Sequence, residues 1–201
     1  MKLNVKKYLG ECFLIVFSVL FALFINKAFD NYQMAKQAEI AKDSIKKELI
    51  QNQVIINQWL ERHIEISNRI SYMIENPNDS LKTELKKYNY LNFAVLTNDS
   101  KSIVGDLPSN TAWESAKTTG IISEFEYEII KRLTKVYDIQ SILINKTLMS
   151  LLDSFYDNDT HNIDKLDNTL TQFQLRFWDL TGQERSVIFL YNEALKEFER
   201  E

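Results

Sequence analysis

Two histidines and a run of three glutamates are the side chains of this sequence best suited, by type, to chemistry. His63 follows Trp59 by four residues on an apolar stripe, where an imidazole could act as a ligand or as a proton-sensitive group. A metal site needs further ligands, and the only other histidine, His161, stands in a polar stretch far along the chain. His63 therefore reads as a structural or partly exposed histidine. Glu124, Glu126 and Glu128 supply closely spaced carboxylates of the kind acid–base catalysis uses. They also open a helical stretch, whose positive end favours acidic residues, so a solvated, helix-stabilising role is expected. Gly182 has no companion glycines to cradle a phosphate, and no serine, histidine and aspartate stand in the setting of an activated nucleophile. The one cysteine, Cys12, falls inside an apolar run and reads as a small filler. The rest of the chain therefore lacks thiols for disulfides, thiolate metal sites or covalent catalysis. Cys12 is no lipidation site either: the apolar stretch follows it, and Glu11 stands where a small residue is needed. The expectation is a protein that is not an enzyme and uses no metal or cofactor.

The elements that would position these residues are helices. The chain is 45% hydrophobic and 26% charged with only 4 Gly and 2 Pro, too apolar for disorder and too poor in turn formers for an all-β fold. Its net charge of −4, with lysine and arginine dispersed, offers no basic stripe to a nucleic acid. From Cys12 to Ile25 the sequence is apolar on every helical face, interrupted only by Ser18. A helix over 8–29 is roughly 33 Å long and spans a hydrocarbon core of about 30 Å. A cleaved signal peptide and a buried soluble helix are the competing readings. Asn26-Lys27-Ala28 is a poor cleavage site, and a core helix would keep a polar side, which favours an uncleaved signal anchor. Lys2, Lys6 and Lys7 precede the span against Lys27, Lys36 and Lys42 after it. The denser N-terminal charge beside the terminal amine favours a cytoplasmic tail (1–7), a transmembrane anchor (8–29) and an extracytoplasmic domain (30–201).

Between Glu11 and Asn76 there is neither glycine nor proline, so the anchor helix is expected to continue unbroken from about Tyr8 to about Ile74. Ile45, Leu49, Asn52, Ile56, Trp59, His63, Ile66, Ile70 and Met73 step by four and three, the stripe of a helix buried along one face. Val54, Ile55, Leu60 and Ile64 widen it, which suits a bundle better than a two-stranded seam. The stretch Asp30 to Lys42 has few large apolar residues and is expected to be exposed or paired with another chain. There Ala35 and Ala38 would allow a second copy to approach closely. Asn76 to Ser80 reads as a turn, with Asp79 or Ser80 capping a helix through Tyr88, and Asn98 to Ser102 reads as a polar loop. Thr111-Ala112-Trp113-Glu114 reads as a capping box opening a helix that ends at Gly120, and Ser123-Glu124-Phe125-Glu126 as a second box. The helix after it should turn Ile130, Leu133, Tyr137, Ile144, Leu148, Leu151 and Phe155 inward. Ile163, Leu166, Leu170, Phe173, Phe177 and Leu180 mark another, which Thr181-Gly182-Gln183-Glu184 separates or bends from a last one carrying Val187 and Tyr191. Trp113 is the remaining candidate, as a packing anchor or as a partner-binding hot spot. The fold expected is all-α, a transmembrane helix continuing into a long helix that packs in a bundle.

Gly10-Glu11, the anchor ending Ala22-Leu23-Phe24-Ile25-Asn26, and the Thr111-Ala112-Trp113-Glu114 box closed by Gly120 together resemble an uncharacterised family of small single-pass membrane proteins from Bacteroidota. The resemblance covers about the first 60 residues and Thr111 to Tyr137. Where family members carry a Trp soon after the anchor Asn, this chain has Lys27, Ala28 and Phe29. The resemblance implies a protein of the Gram-negative inner membrane with a helical domain and carries no activity. Two functions fit such a chain: an interaction or scaffold module meeting an unidentified envelope protein, or an extracytoplasmic sensor or ligand-binding bundle relaying through a membrane partner. With only about ten residues before the span, the sensor needs that partner for its output.

Overall fold

The computed structural model describes residues 5–97 and 102–200, with side chains from residue 9 onward. The first residues of the expected tail (1–4) and most of the expected polar loop (98–101) lie outside the described residues. No strand occurs among those described, and the fold is all-α as expected.

Helix α1 runs without interruption over Val5–Glu75, 71 residues or roughly 107 Å at 1.5 Å per residue. It ends where Asn76 closes it, with both the Asn76 amide and its side-chain Nδ2 donating to the Tyr72 carbonyl and Pro77 following. From Leu9 to Gln37 every residue is exposed. The apolar segment therefore has no packing partner among the described residues, and the reading of it as a buried core helix fails. It is long and apolar enough to cross a membrane. Along it Phe13, Phe17 and Phe21 stack at centroid distances of 6.4 and 6.1 Å.

The bundle begins at Ala38, earlier than the sequence suggested. Ala38 is buried and Ala41 and Lys42 are half-buried, with Lys42 Nζ 5.7 Å over the Phe125 ring. The exposed stem beyond Phe29 is thus 30–37, about 12 Å of helix. Above it the α1 stripe from Ile45 to Met73 is buried at every expected position, while Val54 stays exposed.

Helix α2 (Ser80–Leu85) is capped by Asp79, whose carboxylate accepts from the Leu81 amide at 2.7 Å, and stops short of Tyr88. After an irregular segment, 102–109, come α3 (Thr111–Thr118), α4 (Tyr127–Ile142), a π-helical turn (Leu143–Leu148), α5 (Met149–Phe155) and α6 (Leu166–Phe198). The second capping box is not used. Ser123 sits in a 3-10 turn and donates to the Gly120 carbonyl, and α4 opens only at Tyr127. The inward set is shifted by one residue along α4: Ile129, Leu133, Val136, Gln140 and Leu143 are buried in steps of four and three, so Ile129 replaces the expected Ile130 and Leu143 the expected Ile144. The π turn then provides the step of five from Leu143 to Leu148, which α-helical spacing does not.

Helix α6 is one piece of 33 residues, and the expected break at Thr181–Glu184 is absent. Gly182 lies on its outer side with open space where a Cβ would be. One glycine costs a helix only about 1 kcal/mol, less than the burial of Phe177, Leu180, Val187 and Tyr191 on either side gains. Running antiparallel to α1, α6 is tied to it by Gln53–Asn192, His63–Glu184 and Gln174–Ser71, and α4 packs against α6 as well.

Candidate functional site

The polar residues of the α1 stripe do not face solvent. They hold a segment of irregular backbone, 102–109, that runs back along α1 toward the stem. Arg62 donates to the Ser102 carbonyl at 2.6 Å, His63 Nε2 to Ile103 at 3.0 Å and Trp59 Nε1 to Asp106 at 3.1 Å. Asn52 closes the strap by pairing with the Ser109 backbone in both directions, Nδ2 to the carbonyl (2.6 Å) and Oδ1 from the amide (2.8 Å). A segment with no helix or ladder of its own thus has backbone groups satisfied by side chains of α1.

Beside Asn52, Glu48 organises the start of α3. Thr111 does not act as the cap: Asn110 stands at that position without a side-chain bond, and Thr111 is the first helical residue. The free amides of Ala112 (2.9 Å) and Trp113 (3.4 Å) instead donate to the Glu48 carboxylate. That carboxylate also accepts from Ser109 Oγ (2.8 Å) and the Tyr137 hydroxyl (2.7 Å). Glu48 is therefore a helix cap delivered from another helix, an acceptor satisfied by four donors and stabilised by the positive end of α3. Gln140 extends the network, donating to the Ser109 carbonyl and accepting from Asn52 and the Tyr191 hydroxyl (2.6 Å). Burial first, and then the Glu48 carboxylate, push the Tyr137 phenol far up from its ordinary value; burial does the same to Tyr191. The network joins α1, the strap, α3, α4 and α6, and all its members bind one another.

Of the residues singled out for partner contact, Trp113 is 3% exposed and stacks flat on Tyr137 at 5.7 Å, with Lys117 Nζ over its ring. It anchors α3 in the core and presents no hot spot. Ala38 is 4% exposed and likewise belongs to the core, whereas Ala35 faces out. Glu124, Glu126 and Glu128 are exposed, as a solvated role requires.

His63 is fully buried, as is its partner Glu184 on α6, Nδ1 to Oε1 being 2.6 Å. The sequence reading missed Glu184 because it placed a break there. In one unbroken helix, Leu180, Glu184, Val187 and Tyr191 follow the same steps of four and three as the core residues before them. His161, read as a loop residue, is also structural. The Leu91 amide donates to its Nδ1 and its Nε2 donates to the Phe155 carbonyl, which fixes a neutral tautomer between Phe93 and Tyr90. Among the described residues no three His, Cys, Asp or Glu side chains come together as a metal site. An open groove of about 650 Å³ between α1 and α3 is edged by Ile40, Ala41, Lys47 and Thr119. Three of its hydroxyls, Ser44, Ser109 and Thr119, already donate within the chain.

Fold and site define a class: an all-α chain whose long first helix carries an exposed apolar segment at one end and a polar-stapled bundle at the other. No family model, curated protein or solved structure matches this chain.

Proposed function

We propose that the chain is a membrane-anchored, non-catalytic interaction or scaffold module of the bacterial cell envelope. Residues 8–29 cross the inner membrane, the N-terminus is cytoplasmic and the helical domain stands in the periplasm. The observation that carries this reading is the continuity of α1, which joins an apolar segment without a partner among the described residues to the centre of a bundle. The buried polar groups of that bundle are engaged in holding its own pieces together. Orientation rests on the N-terminal lysines, and the cell-envelope setting on the resemblance to the Bacteroidota family. For a partner surface, the outer side of α6 exposes Leu175, Trp178 and Phe189, apolar residues that the fold itself leaves uncovered.

Fractionation, a reporter active only outside the cytoplasm fused after Glu201, and purification from gently solubilised membranes test the reading together. The expected result is an integral membrane protein with an active reporter and a stoichiometric protein partner, lost when Leu175 and Phe189 are both replaced by Asp. A chain released as soluble protein on cell breakage refutes the anchor. A bound small molecule in place of a protein partner refutes the scaffold.

A further inference from the structure

His63 serves two acceptors at once. The Ile103 carbonyl can only accept, so Nε2 carries a hydrogen. The 2.6 Å contact between Nδ1 and Glu184 Oε1 then requires one proton more, shared between them. Either an imidazolium faces a carboxylate or a neutral imidazole faces a carboxylic acid, and the pair is neutral in both forms. His63 and Glu184 are each 0% exposed, and Glu184 Oε2 has no partner. When that proton leaves, one imidazole hydrogen remains for two acceptors. In a dry interior the carboxylate is the costlier of the two to leave unpaired. The hydrogen therefore goes to Nδ1, and Nε2 turns a lone pair toward the Ile103 carbonyl.

We propose that His63 and Glu184 form a proton-operated latch, which holds the strap 102–109 on α1 while the pair keeps its shared proton and loosens it when the proton leaves. The Ile103 bond lies between the clamps of Arg62 on Ser102 and Trp59 on Asp106, so its loss leaves the first half of the strap held by Arg62 alone. The surroundings set the direction. Trp59 and Phe177 flank the imidazole at 6.4 and 5.8 Å, and Arg185, the next residue on α6, is the charged group besides His63 that acts on Glu184. From α1, Arg62 precedes the histidine and points to the strap backbone; next to Glu184 on α6, Gln183 meets the uncharged Thr147 of the π turn. Burial outweighs His63 and Arg185 and raises the Glu184 carboxyl above its ordinary range. A raised folded-state value means that the proton is held on the acid side and lost as pH rises. The strap is thus fastened at lower pH and freed at higher pH.

Amide hydrogen exchange of the full chain in detergent, read on peptides covering 102–109 between about pH 5 and pH 9 and corrected for intrinsic rates, tests the latch. Wild-type protection is expected to fall with rising pH, by at most about tenfold per unit for one proton. Glu184→Gln should flatten the profile, because its amide donates to Nδ1 at every pH and leaves Nε2–H on Ile103. A flat wild-type profile, or the same slope in Glu184→Gln, overturns the proposal. If that variant does not fold, ¹⁵N spectra of the wild-type histidines decide: the hydrogen must leave His63 Nε2 in step with strap exchange, and a permanently protonated Nε2 refutes the latch.

Discussion

Replacing Glu48 by alanine removes the acceptor for four donors that converge from three parts of the fold, the Ala112 and Trp113 amides, the Ser109 hydroxyl and the Tyr137 hydroxyl. Hydrogen bonds to a charged group are worth about 1.5–3 kcal/mol each, and a buried donor left unpaired costs about 1–3 kcal/mol. The 3.4 Å Trp113 contact is weak, and the hydroxyls can rotate toward other partners. The Ala112 amide cannot, and the burial cost of the carboxylate itself is recovered on its removal. The balance is a loss of roughly 3 kcal/mol, which for a chain of this size lowers Tm by about 6–12 °C. Glu48→Gln retains one oxygen for Ala112 and Ser109 and sets an amide against Tyr137, which can accept, so its loss should be about half as large. Thermal unfolding of the full chain in detergent, followed by circular dichroism, measures both variants. A double-mutant cycle with Tyr137→Phe should give a coupling of about 1 kcal/mol. If Glu48→Ala unfolds within about 2 °C of wild type, Glu48 is not the cap of α3 and the network argument fails.

Gly120 holds φ +74° with open space where a Cβ would be, so Gly120→Val should destabilise by more than about 1 kcal/mol through backbone strain alone, and Gly120→Asn by distinctly less; equal Tm values for all three would refute this. Tyr137 and Tyr191, whose folded values are raised, stabilise the fold below the ordinary phenol value near 10 and destabilise it as pH rises beyond. In a spectrophotometric titration these two phenols should ionise only as the domain unfolds, and a common midpoint for every tyrosine with the fold intact would contradict their burial. Spin labels at single cysteines over 31–37 in a Cys12→Ser background should show ordered, helix-periodic mobility, whereas uniform coil-like mobility would mean that α1 breaks at the stem.

Much of the fold was legible because α1 states its core face in its own spacing. With no glycine or proline after Glu11, nothing local competes with the helix, and the stripe from Ile45 to Met73 needs only a partner to be buried. The capping of α3 was less legible. Thr111 and Glu114 have the spacing of a box, but a box is one of several ways to satisfy the same amides, and Glu48, 64 residues before Ala112, supplies another. Capping from a distant helix leaves no local signature. Glu184 was hidden for a different reason: Gly182 beside Thr181 looks like punctuation, and a glutamate at a stripe position looks like the end of a stripe. Reading the two helices together recovers it, since His63 and Glu184 are each flanked by apolar residues on the core face of their helix, and antiparallel packing sets those two opposite each other.

The same pairing explains why this bundle contains polar residues at its centre. An apolar pair in place of His63 and Glu184 would bury as much surface, and such replacements are often neutral or stabilising. It would not select a register, because apolar stripes stepping by three and four also fit when slid by one heptad. Sliding α6 by seven residues against α1 would set Glu184 opposite Ile56 or Ile70, without a donor inside a dry core. Asn52 with Gln140 and Tyr191 adds a second such constraint farther down α1, toward the stem, so the two together admit one alignment of α6 on α1. Since α1 reaches from this core to the apolar segment without a break, that alignment also fixes which surfaces of α6 point in which direction relative to that segment. The proposed role, presenting the Leu175–Phe189 face to an envelope partner, needs that constraint, and stability alone does not supply it.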